Sequence, residues 1–145
     1  MTEYKKNTAT EVEILEHFKK SDQQFIPNLS SRVNLEVYAQ KLSKLADNFE
    51  VWVDDELVGV VSAYMNDRIH GRVFISNVSV LENFTGKGFA SKLLDDCLQY
   101  AKSNGFKEVV LEVNSNNQPA CSLYYKKGFR VKENHNDILK LILEI

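Results

Sequence analysis

Residues Arg72–Val113 read RVFISNVSVLENFTGKGFASKLLDDCLQYAKSNGFKEVVLEV, and the order of patterns in this stretch decides the fold. Arg72 to Leu81 is dense in β-branched and apolar residues, the composition of a strand. After Asn83-Phe84-Thr85-Gly86-Lys87-Gly88 the apolar period becomes 3.6, with Phe89, Leu93, Leu94, Cys97, Leu98 and Ala101 on one helical face and Asn104-Gly105 as the stop. Glu108 to Val113 then reads as another strand. Strand, helix and strand in succession need a crossover connection, so the two strands are expected to run parallel.

Upstream, Phe49, Val51 and Val53 alternate with polar neighbours, Asp54-Asp55-Glu56 supplies a turn, and Leu57 to Met65 returns as the second arm of a hairpin. Asn66 to Gly71 makes the next turn, completing an antiparallel meander. Ahead of it, Thr8 or Thr10, each with Glu three residues on, caps a helix presenting Val12, Leu15 and Phe18 and ending near Lys20. Ser21 to Val33 reads as a partly apolar loop, and Asn34 caps a second helix carrying Leu35, Tyr38, Leu42 and Leu45. Downstream, Pro119 to Lys127 predicts a short helix stopped by Gly128, and Phe129 to Ile145 a strand pair turning at Asn134 to Asp137. The order α-α-β-β-β-α-β-α-β-β implies a mixed α/β (α+β) fold, with helices packed on the faces of a mostly antiparallel sheet.

The 145 residues carry 18 Lys and Arg against 20 Asp and Glu, with 43% hydrophobic residues, which suits one domain over residues 1–145 with a sizeable core. A formal net charge of -2 offers no broad positive field, so nucleic acid is not expected as a partner. No apolar run approaches the roughly 20 residues needed to cross a bilayer, and the start lacks an apolar leader, so the expected setting is cytoplasmic with no membrane partner. Cys97 and Cys121 fall within two helical patterns and read as core fillers. His17, His70 and His135 have no metal-ligand spacing, so no metal is expected.

Gly86 and Gly88 stand between a strand and a helix N-terminus, where the backbone can approach an anion closely and the first helical N–H groups lack partners. A diphosphate is the natural ligand. An ATP-type phosphate loop is not expected, because Lys87 precedes Gly88 and Phe89 follows it. A dinucleotide turn lacks its third glycine, since Ser91 occupies that position, and two helices and a meander precede it. Taken alone, the loop also fits a helix start that happens to be rich in glycine.

The loop has company. Val78 to Leu94, VSVLENFTGKGFASKLL, followed by Leu111 to Phe129, LEVNSNNQPACSLYYKKGF, closely resembles the two signature segments of the GNAT (GCN5-related) N-acetyltransferases. The resemblance implies the GNAT acyl-CoA N-acyltransferase fold, in which the parallel strand pair splays, and acetyl-CoA as co-substrate. The family's [Arg/Gln]-x-x-Gly-x-[Gly/Ala] falls on Thr85, Gly88 and Ala90, with Thr85 departing from it while keeping a hydroxyl able to donate. By resemblance the cofactor-binding set is Val78, Ser79 and Val80 on the strand, Thr85, Gly86, Lys87, Gly88, Phe89, Ala90 and Ser91 at the turn, and Asn117 and Tyr124 beyond. Lys87 either adds charge for a phosphate or is a solvated turn residue; Asn117 either contacts the pantetheine or caps a helix.

The resemblance also implies the chemistry. Acetyl-pantetheine would lie in the splayed gap, held by Val78 and Val80 backbone groups, with the Val80 N–H stabilising the oxyanion formed as an amine attacks. Tyr124 matches the tyrosine that protonates the leaving thiolate, a role suited to an unperturbed pKa of about 10. Alternation along the strand puts Phe74, Ser76 and Val78 on the face of Val80, so Ser76 is its one polar group and the nearest catalytic candidate, although a poor base alone. Glu112, Glu50 and His70 are base candidates acting through water. The Phe25–Val33 loop, with Arg32 for an anionic acceptor, and the Tyr64–Arg68 turn are expected to line the site of a primary amine: an amino sugar, polyamine, antibiotic or peptide N-terminus. The alternative is an acyl-CoA sensor without turnover. A homodimer through the closing strands or first helices is compatible with the sequence.

Overall fold

Thr10 begins the first helix through a reciprocal capping box: its hydroxyl accepts from the Glu13 N–H, and the Glu13 carboxylate accepts from the Thr10 N–H. The computed structural model describes residues 1–145 and places this helix, α1, at Glu11–Ser21. Asn34 caps α2, Leu35–Leu45, by accepting from the Val37 N–H. Two short 3-10 turns, Asp22–Gln24 and Leu29–Ser31, occupy the loop between them. Both helices bury a face offset from the expected one. In α1 it is Ile14, His17, Phe18 and Ser21, while Val12 is 62% exposed; in α2 it is Ala39 and Leu42, while Leu45 is 62% exposed.

The sheet has seven strands: β1 (Thr2–Lys6), β2 (Asp47–Val53), β3 (Glu56–Asp67), β4 (Arg72–Val80), β5 (Glu108–Asn114), β6 (Arg130–His135) and β7 (Ile138–Glu144), in the order β1-β2-β3-β4-β5-β7-β6. Asp54 and Asp55 both have positive φ, 49° and 67°, the backbone that a two-residue hairpin turn requires. The crossover helix α3 spans Phe89–Ser103 and makes β4 and β5 parallel, as expected; α4 spans Gln118–Lys126.

The expected order omitted β1, so a strand, and not two helices, opens the fold. Its residues TEYKK are all exposed save the partly covered Lys6, leaving no hydrophobic period to read; backbone pairing with β2 from Thr2↔Val53 to Lys6↔Phe49 holds it. Buried Glu50 ties down the link to α1, accepting from the Thr8 N–H and hydroxyl, the Ala9 N–H and the Trp52 indole. Four donors leave this carboxylate fully occupied in holding the structure, which removes it from the base candidates.

Hydrophobic residues fill both faces of the sheet. Val51, Val61, Val73, Ile75 and Leu111 meet Leu93, Leu94, Cys97 and Ala101 of α3 and Cys121 and Tyr124 of α4. On the other face, Ile14, Phe18 and Leu42 pack against Trp52, Leu57 and Val60.

Candidate active site

Parallel pairing between β4 and β5 runs from Arg72↔Glu108 to Ile75↔Leu111 and stops. Beyond it β5 stays paired with β7 as far as Asn114↔Ile138, and β4 with β3 as far as Val80↔Gly59. The two strands therefore diverge above Ile75. The Leu81 N–H donates to the Val58 carbonyl, so the alternation of an antiparallel ladder turns the Val80 and Val78 backbone groups away from β3 and into this gap. Gln24 Nε2 donates to the Val80 carbonyl at 2.8 Å, while the Glu82 N–H donates back to Gln24 Oε1 at 3.1 Å. Of Val80, only the amide remains free; the expected role for its carbonyl is corrected accordingly.

A β-bulge makes the divergence. Ser62 pairs with Asn77 and Ala63 with Ile75, leaving Ser76 as the extra residue. The side-chain phase consequently changes there. Val73 and Ile75 below the bulge, and Val78 above it, pack toward α3 and α4, and Val80 approaches Gly59 beside Val51 and Leu93. Phe74, Ser76 and Ser79 face α1 and α2: Phe74 stacks on Tyr64, Ser76 bonds the Tyr38 hydroxyl, and Ser79 bonds His17. The uninterrupted alternation expected for Phe74, Ser76, Val78 and Val80 is thus overturned, and Ser76 lies on the opposite face from Val80.

His17, like Gln24, is a residue that sequence reasoning missed. It is 2% exposed, its Nδ1 lies 3.0 Å from the Leu57 carbonyl and its Nε2 2.8 Å from Ser79 Oγ. A carbonyl only accepts, so Nδ1 carries the proton and Nε2 accepts from the Ser79 hydroxyl. Asn77 Nδ2 donates to Ser79 Oγ at 3.2 Å. Burial depresses the His17 pKa from 6.5 to about 4, with Lys20 lowering it further while the Leu57 carbonyl and Glu56 oppose, so the ring is neutral at pH 7. The apolar face expected from Val12, Leu15 and Phe18 did not include residue 17, and nothing in the sequence pointed from it to β4.

Three adjoining cavities line the gap. One of about 210 Å³ lies against Val80, Thr85, Gly86, Gly88, Phe89, Ala90 and Ser91. Gly86 and Gly88 have φ of 77° and 80°, and a Cβ on either would meet nothing within 4 Å, so backbone conformation and not crowding requires glycine. No side chain caps α3, which leaves its first N–H groups open. Thr85 is engaged locally, its hydroxyl donating to the Glu82 carbonyl at 2.8 Å. Lys87 is exposed and forms no ion pair.

A second cavity, of about 110 Å³, joins Gln24, Phe25, Val78, Ser79, Val80 and Asn117. The third, about 100 Å³, shares Phe25, Val78 and Asn117 with it and adds Arg32, Ser76, Asn77, Glu112 and Tyr124 among its walls. Asn117 Oδ1 accepts from the Ala120 N–H, capping α4 and leaving its amide nitrogen free. Tyr124 is 6% exposed, stands edge-on to Phe129 at 5.9 Å, and its hydroxyl has no partner within the protein. Burial, with a smaller push from Cys121, raises its pKa.

Glu112 is the one former base candidate in these walls. His70 pairs with Asp67 in the exposed turn at the opposite end of β4. The expected Tyr64–Arg68 lining is not found: β3 continues through Asp67, and Arg68 turns to the Asn104 carbonyl and the Phe106 ring at the far end of α3.

Comparison with solved structures places the fold. The PaiA N-acetyltransferase from Thermoplasma acidophilum, in complex with coenzyme A, superposes over 100% of this chain and 99% of its own with a TM-score of 0.79 at 15% identity. A Bacillus subtilis acetyltransferase in complex with CoA covers 100% and 99%, with a TM-score of 0.75 at 21% identity. Among curated proteins, streptothricin acetyltransferase of Escherichia coli is 33% identical over 81 residues, covering 56% of this chain and 45% of that protein. N-alpha-acetyltransferase 30 of Schizosaccharomyces pombe is 32% identical over 79 residues, covering 50% and 53%. The chain spans about half the length of these curated relatives. The model of the acetyltransferase (GNAT) family matches residues 13–129, a span holding the bulged strand, the glycine turn and Tyr124 alike, and the chain belongs to that family.

Proposed function

We propose that the chain is an acetyl-CoA-dependent N-acetyltransferase that delivers acetyl to a primary amine by direct attack in a ternary complex. The observation that carries this reading is the free edge of β4 at Val78 and Val80, opening between the uncapped start of α3 and the unpartnered Tyr124 hydroxyl. Acetyl-CoA supplies an activated acetyl thioester. Backbone N–H groups from Gly86 to Ser91 suit its diphosphate, as a helix N-terminus favours anions. With Thr85 committed to Glu82, Lys87 is the loop side chain with charge to add. Val78 and the free Asn117 amide nitrogen suit the amide-bearing pantetheine arm, and Ser79 closes its wall.

The Val80 N–H is directed at the developing oxyanion, where one preorganised donor is worth roughly 3 to 4 kcal/mol. Tyr124 protonates the departing thiolate; its raised pKa keeps the hydroxyl protonated at neutral pH. Glu112 takes the amine's proton through water, whereas Ser76, bonded to Tyr38, contributes by holding the bulge. The acceptor is the amine of a small molecule or a peptide. Buried free thiols at Cys97 and Cys121 suit a reducing compartment such as the cytoplasm.

Calorimetric titration with acetyl-CoA, with NAD and ATP as controls, tests the reading first. Binding of acetyl-CoA alone in the micromolar range, followed by amine-dependent CoA release, is expected. No binding would sink the mechanism, and binding without release for any amine would favour the sensor.

A further inference from the structure

The third cavity has two charged side chains in its walls, Arg32 and Glu112, of opposite sign. Neither forms an ion pair, although nine such pairs bind charges elsewhere in the molecule. The Arg32 backbone N–H closes the second 3-10 turn, and the guanidinium carbon lies 6.0 Å from the Phe25 ring centroid. Glu112 enters from β5 just where pairing with β4 has ended, and Tyr124 stands in the same walls. A cation on one wall and a carboxylate on another, with the acid Tyr124 beside them, match a molecule that is itself both anion and amine.

From this juxtaposition we infer that the acceptor is a small amine carrying its own anionic group, carboxylate or phosphate, a few bonds from the nitrogen, as in a free amino acid. Arg32 binds the anion, for which the planar guanidinium fork is suited, and Glu112 draws the amine, through water, into the same cavity. Polyamines and peptide N-termini lacking a nearby anion leave Arg32 unmatched and place a second positive charge or a neutral amide against it. The inference rests on the acetyltransferase reading and narrows its substrate.

The test compares matched acceptors by CoA release: alanine, methionine and phenylalanine against their carboxamides, and phosphoethanolamine against ethanolamine. Each pair differs in the anion alone, and the two arms separate carboxylate from phosphate. A carboxamide's ammonium is the more acidic of its pair, so the bias in free amine runs against the expected result. At least one anionic member should exceed its neutral partner tenfold or more in kcat/KM, and Arg32→Gln should bring that ratio close to one. Arg130→Gln, at a surface pair with Glu144, should leave the ratio unchanged.

Equal rates within every pair would overturn the inference while leaving acetyl transfer intact, as would a preference that survives Arg32→Gln. Calorimetric binding of acetyl-CoA with no turnover of any acceptor would overturn it too, and absence of acetyl-CoA binding would remove the parent reading along with it.

Discussion

The two halves of β4 differ in how many neighbours they keep. Arg72–Ile75 is paired on both edges, with β3 and β5, and its inward residues Val73 and Ile75 are 0% and 3% exposed in the larger core. Ser76–Val80 keeps only β3, and its polar side chains Asn77 and Ser79 are buried against the other face. One inserted residue separates a structural half from the half to which the proposed function assigns the chemistry. An unpaired strand edge in the middle of a sheet is costly unless something else takes its hydrogen bonds, and the proposed function gives that place to the acetyl-CoA arm.

Breaking the chemical half should show most in turnover. Tyr124→Phe removes the proposed acid and is expected to lower kcat by about 10²-fold or more, with acetyl-CoA affinity by calorimetry retained. Loss of affinity in parallel would make Tyr124 a packing residue instead. Breaking the structural half should show in stability: Ile75→Ala is expected to cost about 3 kcal/mol, read by urea unfolding, with kcat/KM per folded molecule little changed. A large kinetic defect there would erase the contrast between the halves.

The buried network sharpens the comparison through pH. The folded His17 pKa of about 4 lies below its unfolded value of 6.5, so the unfolded chain binds the extra proton first as pH falls. Stability from the neutral ring is present above pH 6.5 and is lost between 6.5 and 4, amounting to about 2 kcal/mol between pH 7.5 and 5. The urea midpoint of the wild type should fall over that range, and His17→Gln should lack this component. Smallest is Gly88→Ala. Its positive φ costs about 1 kcal/mol with a side chain present, and the added methyl projects into open space above the turn, so acetyl-CoA affinity should weaken more than the fold does.

Much of the architecture was legible because it depends on local residue types. Thr10, Asn34 and Gly128 mark helix ends by chemistry that acts over three or four residues, and the hairpin at Asp54-Asp55 needs only its own two residues. The signature segments marked the glycine turn and the helix that carries Tyr124 in the same way. Strand β1 escaped because an exposed edge strand buries no stripe. The Ser76 bulge escaped because its cause lies in β3, where Ser62 and Ala63 answer Asn77 and Ile75. Gln24 and His17 escaped for a related reason: their partners are 56 and 62 residues away.

The sequence by itself determined the order of elements from α1 onward, the parallel crossover and the glycine turn, since periodicity, capping and backbone freedom are properties of neighbouring residues. Tertiary structure alone decided which edge of β4 stays open, which face each of its polar side chains takes, and that Arg32 and Glu112 share one cavity. Those outcomes depend on hydrogen bonds and charges meeting across strands, and a ladder can shift by one residue without any change in the local pattern of the chain.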